Sequence, residues 1–229
     1  MKQLAPDVWQ LDGRPADLVN VYVVGDVLVD AGTSFDKGRI LNQLRDRTIT
    51  AHALTHAHPD HMGSSHAVCE QLGIPFWVGA QDAQAASDQS TLAASLRPAA
   101  LERLPFSLDP MMKLFAGAVH PVDRRLNEAD EIAGFKVLHT PGHTAGHVAL
   151  WREDDRTLIA GDVLFNFQFA AGKPGLTQPV GAFNWDSAVN RDSARRLAAL
   201  EPSLVCFGHG PVLRDTRTFV DFVDRLPTP

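Results

Sequence analysis

Thr55-His56-Ala57-His58-Pro59-Asp60-His61 constrains this chain more than any other stretch. Three histidines and one carboxylate fall within six positions, 56–61. Imidazole and carboxylate are the donors that borderline divalent metals such as zinc prefer. In an extended segment alternate side chains point to one side, so His56 and His58 can grip one ion together. Pro59 holds the residue before it extended and permits a helix to begin after it. Asp60 and His61 then sit at that helix start, turned toward a second position.

The remaining chain is read around this box. With 229 residues it can bury one substantial core. Hydrophobic residues at 45% and charged residues at 21% suit a soluble globular protein. A net charge of -6 argues against a general affinity for nucleic acid or an anionic membrane. Cys69 and Cys206 make no disulfide framework and read as buried small apolar residues. No apolar run approaches the roughly 20 residues that span a bilayer, and Met1 to Asp7 has no signal-peptide core. A cytoplasmic protein is expected. Its partner is a small-molecule substrate, with a homodimer left open.

Strand patterns occur at Val8–Leu11, Val19–Val24 and Val27–Asp30, the last two joined by a tight turn at Gly25-Asp26. Helical spacing follows over residues 35–47. Ile49–Thr55 is the strand that delivers the histidine box, Met62–Leu72 a helix stopped by Gly73, and residues 74–78 another strand. Residues 80–130 differ in character. An Ala/Gln/Ser-rich helix over 81–96 gives way to Pro98, Pro105 and Pro110, then to Met111, Met112 and Phe115. They read as a helical insertion within a single domain, 1–229. Strands resume at 131–138, 147–151 and 157–160, then a helix over 186–200, a strand over 204–207 and a helix over 216–226. Two runs of strands, each followed by helices, suggest two packed sheets with helices outside.

Three more stretches place ligand-type residues just past a strand. They are Thr140-Pro141-Gly142-His143, Ala160-Gly161-Asp162 and Gly208-His209-Gly210. Glycine lets each turn sharply toward a crowded centre. An H-x-H-x-D-H box, a later His, a strand-end Asp and a final His stand in one order. By that motif set the chain resembles the metallo-β-lactamase-fold hydrolases over nearly its whole length. The resemblance implies an α+β fold, the αββα four-layer sandwich, with two metal ions, Zn2+ first and iron or manganese as competitors. Carried over by position, His56, His58 and His143 hold the first ion. Asp60, His61 and His209 hold the second, Asp162 bridges them, and a hydroxide between the ions is the nucleophile. Asp60 is also the catalytic candidate, as the residue that orients that hydroxide. Asp30 resembles the position that hydrogen-bonds a ligand histidine. His147, four residues beyond His143, is a candidate supporting partner, whereas His52, His66, His120 and His139 read as structural or surface histidines.

Fold and metals do not give the substrate. Asp162 counts against the antibiotic-cleaving members, which generally lack it. Only about twenty residues follow His209, too few for the glutathione-holding domain of glyoxalase II. The expected activity is hydrolysis of a small ester, thioester or lactone. The alternative is a mononuclear iron oxygenase resembling the persulfide dioxygenases. Phe165, Phe167 and Phe169 at period two, with Met111, Met112 and Phe115, are expected to line an apolar pocket, and Lys173 is the nearby cation.

Overall fold

The computed structural model describes residues 1–13, 15–95 and 114–227. The described chain forms β1 (Lys2–Ala5), β2 (Val8–Gln10), β3 (Tyr22–Val24), β4 (Val27–Val29), α1 (Lys37–Leu44) and β5 (Ala51–Ala53). Next come α2 (Pro59–Met62), α3 (Ser65–Leu72), β6 (Phe76–Gly79), α4 (Ala83–Ser87) and α5 (Gln89–Ser95). After the undescribed segment follow β7 (Arg124–Leu126), β8 (Glu131–Ile132), β9 (Phe135–His139), β10 (Val148–Arg152) and β11 (Thr157–Gly161). A hairpin, β12 (Phe165–Gln168) and β13 (Lys173–Thr177), precedes α6 (Ser187–Ala198), β14 (Leu204–Phe207) and α7 (Thr216–Asp224).

Strands β1 to β7 form one sheet in sequence order, antiparallel as far as β4 and parallel from β4 to β7. A second sheet runs β14-β11-β10-β9-β8. The pleat explains why these strands are apolar on both faces. Tyr22 and Val24 of β3 meet Val148 and Leu150 of β10 and Leu204 and Cys206 of β14 in the core between the sheets. The intervening Val23 faces Ile40 and Leu44 of α1 and Val68 of α3. On the far side, Ala149, Trp151, Val205 and Phe207 face Ala194 and Leu197 of α6 and Phe219 and Val223 of α7. The layers are therefore helix, sheet, sheet, helix, as expected. No described helix is long and apolar enough to cross a membrane.

Several local expectations change. The helix expected from Met62 breaks between α2 and α3, where the Gly63 amide donates to the Gly32 carbonyl at 2.8 Å and Ser64 Oγ to the Thr33 carbonyl at 2.6 Å. The helix over 81–96 splits at Asp88, which turns extended and accepts the Ser90 amide at 2.8 Å to start α5. The strand over 131–138 is a hairpin, since Ala133 and Gly134 both adopt positive φ and pair Ile132 with Phe135. Residues 80–130 contribute to the sandwich at both ends: Ala85 and Ala86 enter the core, and β7 closes the first sheet. Met111 and Met112 lie outside the described residues.

Candidate metal centre

Every candidate ligand lies just past the end of a strand, and these ends meet at one edge of the two sheets. β5 leads into His56 and His58, with Asp60 and His61 on α2. β9 leads to His143, β11 to Asp162 and β14 to His209. The seven residues named from the motifs converge. His56, His58 and His143 form one group, Asp60, His61 and His209 another, and His56, His61 and Asp162 a third linking them. In each group the donor atoms lie within 4.8 Å of one another.

Asp162 is the hub. Its Oδ2 lies 3.6 Å from His56 Nε2, 3.4 Å from His61 Nε2, 3.3 Å from His143 Nε2 and 3.2 Å from His209 Nε2. Two donors bound about 2.0–2.1 Å from one tetrahedral ion sit about 3.3–3.4 Å apart, so this spacing suits shared metal ions. The chemistry of the unpaired atoms agrees. His56 Nε2, His143 Nε2 and Asp162 Oδ1 are buried without hydrogen-bond partners. Buried polar atoms are rarely left so, and a cation would satisfy all three. Gly208 makes the room, since a Cβ there would strike Asp162 Oδ1.

The opposite nitrogen of most rings is held, which fixes the tautomer. His61 Nδ1 donates to Asp30 Oδ2 at 2.9 Å, and His143 Nδ1 donates to Asn184 Oδ1 at 2.8 Å. His209 Nδ1 donates to the Leu18 carbonyl at 2.5 Å. His56 Nδ1 donates to Thr55 Oγ1 at 3.0 Å, and that hydroxyl donates to Asp30 at 2.9 Å. Asp30 thus supports a histidine from each group, with φ at 61° in the left-handed region. His147 supports the hub: its Nε2 accepts the Asp162 amide at 3.0 Å and its Nδ1 donates to Thr140 Oγ1 at 2.8 Å. Burial keeps its imidazole neutral.

Two supports were not found in the sequence. Asp82 is buried and accepts from the Ala57 amide at 2.9 Å, the Gly146 amide at 2.7 Å and Thr144 Oγ1 at 2.6 Å. It ties the histidine box to the loop that carries His143. A carboxylate three residues past the end of β6 follows the same strand-end rule as the ligands and could have been noticed. Asn184 follows a 3-10 turn at Gly181–Phe183 and carries no comparable signal. Other histidines hold structural places. His52 stacks on Phe76 and bonds Ser65 Oγ at 2.8 Å, and His139 donates to the Ala145 carbonyl at 3.0 Å.

The two groups carry opposite proton affinities. Burial and neighbouring imidazoles push His56 well below the ordinary histidine range and His58 down to about 3. Burial lowers His61 and His209 too, but the carboxylates of Asp162 and Asp60 overcome it. His61 ends well above the ordinary range and His209 at about 10. Asp60 and Asp162 move the other way: despite burial, the neighbouring histidines hold both well below the usual carboxylate range.

A cavity of about 690 Å3 opens onto Asp60, His143, Asp162 and His209. Its wall is mainly apolar, with Leu18, Phe115, Phe165, Phe169 and Phe183. Phe165 and Phe169 set their rings edge-on to His209, with centroids 4.7 and 5.4 Å away. Phe167 is not among the lining residues; its ring packs edge-on against Phe169, with centroids 5.1 Å apart. Lys173 starts β13, exposed and away from this wall. The lining cation is Arg39, whose guanidinium is paired with Asp36 at 3.0 Å.

The model of the metallo-beta-lactamase superfamily matches residues 14–209. The chain is 28% identical over 222 residues to the probable metallo-hydrolase YflN of Bacillus subtilis, covering 86% of this chain and 83% of that one. It is 26% identical over 163 residues to the hydroxyacylglutathione hydrolase GloC of Haemophilus influenzae, covering 69% and 66%. Among solved structures, TTHA1623 in a di-iron-bound form superposes with a TM-score of 0.61 at 26% identity, covering 96% of this chain and 94% of that one.

Proposed function

The chain belongs to the metallo-beta-lactamase superfamily, and we propose that it is a dinuclear metal-dependent hydrolase of a small ester, thioester or lactone. The observation that carries this reading is the place of Asp162, a buried carboxylate with four imidazole nitrogens around one oxygen, on the floor of an apolar cavity. His56, His58 and His143 would hold one ion, Asp60, His61 and His209 the other, and Asp162 both. Divalent ions bound there supply Lewis acidity and lower the pKa of water from about 15.7 to near 7. Zinc fits this nitrogen and oxygen set, and iron or manganese would compete for it. The di-iron form of TTHA1623 supports keeping iron in view.

The protein's own groups supply the rest. Asp60 reaches both the cavity and His209, 3.4 Å away, so its carboxylate can orient a nucleophilic water beside a bound carbonyl. Asp30, Asn184 and the Leu18 carbonyl keep three rings aimed inward, so little reorganisation accompanies reaction. Phe165, Phe169 and Phe115 exclude water and take an apolar substituent. The similarity to a hydroxyacylglutathione hydrolase supports a thioester among the candidate substrates.

The test is a panel of thioesters, aryl esters, lactones and β-lactams with graded acyl length, assayed with zinc and with iron. Each methylene fully buried against the aromatic wall should improve kcat/KM by about fourfold, equivalent to about 0.8 kcal/mol. Rates independent of acyl length would remove the apolar pocket from the argument. Absence of any carbonyl hydrolysis, with oxygen consumed on adding a glutathione persulfide, would replace the hydrolase with an iron oxygenase.

A further inference from the structure

Away from the main centre, one other group of metal-ligand side chains converges among the described residues: His66, Glu70 and His120. The first two are four residues apart on α3 and therefore share one face of the helix. His120 belongs to the stretch between the undescribed segment and β7. The Nδ1 atoms of His66 and His120 face each other at 3.0 Å, and Glu70 Oε1 lies 3.9 Å from the latter. Two imidazole nitrogens so placed must share one proton or give both lone pairs to a cation.

The surroundings fix His120 without help from Glu70. Its amide donates to the Ala86 carbonyl at 3.2 Å, and its ring meets Phe76 edge-on with centroids 5.8 Å apart. Asp123, the nearest other carboxylate in sequence, is occupied by the Phe76 amide at 2.8 Å. Glu70 is exposed on its helix and free to swing inward. Two imidazoles and one carboxylate form a donor set that zinc accepts, with a fourth position open to water.

We propose that His66, Glu70 and His120 form a separate, peripheral site for zinc or a similar borderline divalent ion. The ion would clasp the stretch leading into β7 onto α3. That clasp bears on the cavity, because the same stretch begins at its wall. Phe115 lines the cavity, its carbonyl accepts the Ser34 amide at 2.9 Å, and Gly117 packs against the backbone of Gly63. The peripheral ion would brace one wall and take no part in the chemistry.

The full chain, stripped of metal, is titrated with zinc at fixed free concentration beside the variant H66Q/H120Q. Wild type should bind one equivalent more than the variant. The difference is read, not the total, so the result is independent of how many ions the main cluster holds. Equal equivalents in two folded proteins would overturn the site. If the double variant does not fold, zinc-edge anomalous scattering from wild-type crystals decides. A peak within bonding distance of both Nδ1 atoms is expected, and its absence at saturating zinc would overturn the proposal.

Discussion

The two ligand groups of the main centre are built from the same imidazoles and behave oppositely. His56 and His58 are held neutral, while His61 and His209 hold protons more strongly than ordinary histidines. His56, His61 and His209 are buried and His58 half-buried, so burial alone cannot separate them. The carboxylates do. Asp162 reaches both groups, but His61 and His209 also have Asp60 at 3.9 and 3.4 Å, and Asp30 bonds the back of His61. His58 faces His143 instead, with ring centroids 4.5 Å apart. A field that holds protons also attracts cations, so the second group should bind its ion in competition with protons while the first group does not.

Asp162 belongs to both groups, and removing it should break the comparison altogether. Asp162→Ala should lose both ions and lower kcat/KM by about 10^3-fold or more, about 4 kcal/mol. Metal analysis alongside rates would check this, and a variant retaining two ions would deny Asp162 its shared role. Asp60→Asn should act on the second group alone. The expected loss is about 10^2-fold in kcat, about 2.7 kcal/mol, with one ion retained and thermal unfolding little changed. Full activity would reduce Asp60 to a residue of the α2 start.

Supporting residues should give smaller effects. Asp30→Asn should weaken the second group most, through its direct bond to His61, and the first group less, through Thr55 and His56, whereas Asn184→Ala should weaken the first alone, each by about 10–100-fold at the group it touches directly. Competition titrations against a chelator distinguish the two sites, and identical profiles for both variants would dissolve the division. Taken per unit, the smallest effect is that of pH. His209, with its pKa raised to about 10 in the metal-free chain, is protonated at neutrality and must release that proton to bind an ion. Affinity at the second group should therefore fall by about tenfold per unit as pH drops, for each proton displaced. His58, at about 3, is already neutral above pH 5, so the first group should show no such slope from this residue. Parallel slopes at both sites between pH 6 and 8 would contradict the opposite fields.

How far the site could be read from the chain depends on how local each feature is. The ligands announce themselves because each one sits in a short run with its own turn: His58 before Pro59, His143 after Gly142, His209 between Gly208 and Gly210. Asp30 was legible for the same reason, at the end of β4. The layer order was legible because two runs of strands, each followed by helices, suggest two packed sheets with helices outside. Local patterns misled where a distant backbone intervened. The helix breaks between α2 and α3 because the Gly63 amide and the Ser64 hydroxyl turn to the carbonyls of Gly32 and Thr33.

What the amino-acid order determined by itself is the ligand chemistry, because donor type and turn geometry are properties of neighbouring residues. What only the tertiary structure decided is which donors meet and what orients them. Asp82 clamps Ala57 to Gly146, Asn184 aims His143 from 41 residues away, and the carbonyl of Leu18 holds His209 from 191 residues away. No periodicity encodes such pairs. They exist because two sheets pack face to face and bring the ends of β5, β6, β9, β11 and β14 to one edge. Once there, a few ångströms between carboxylate and imidazole are enough to leave one imidazole neutral and another protonated.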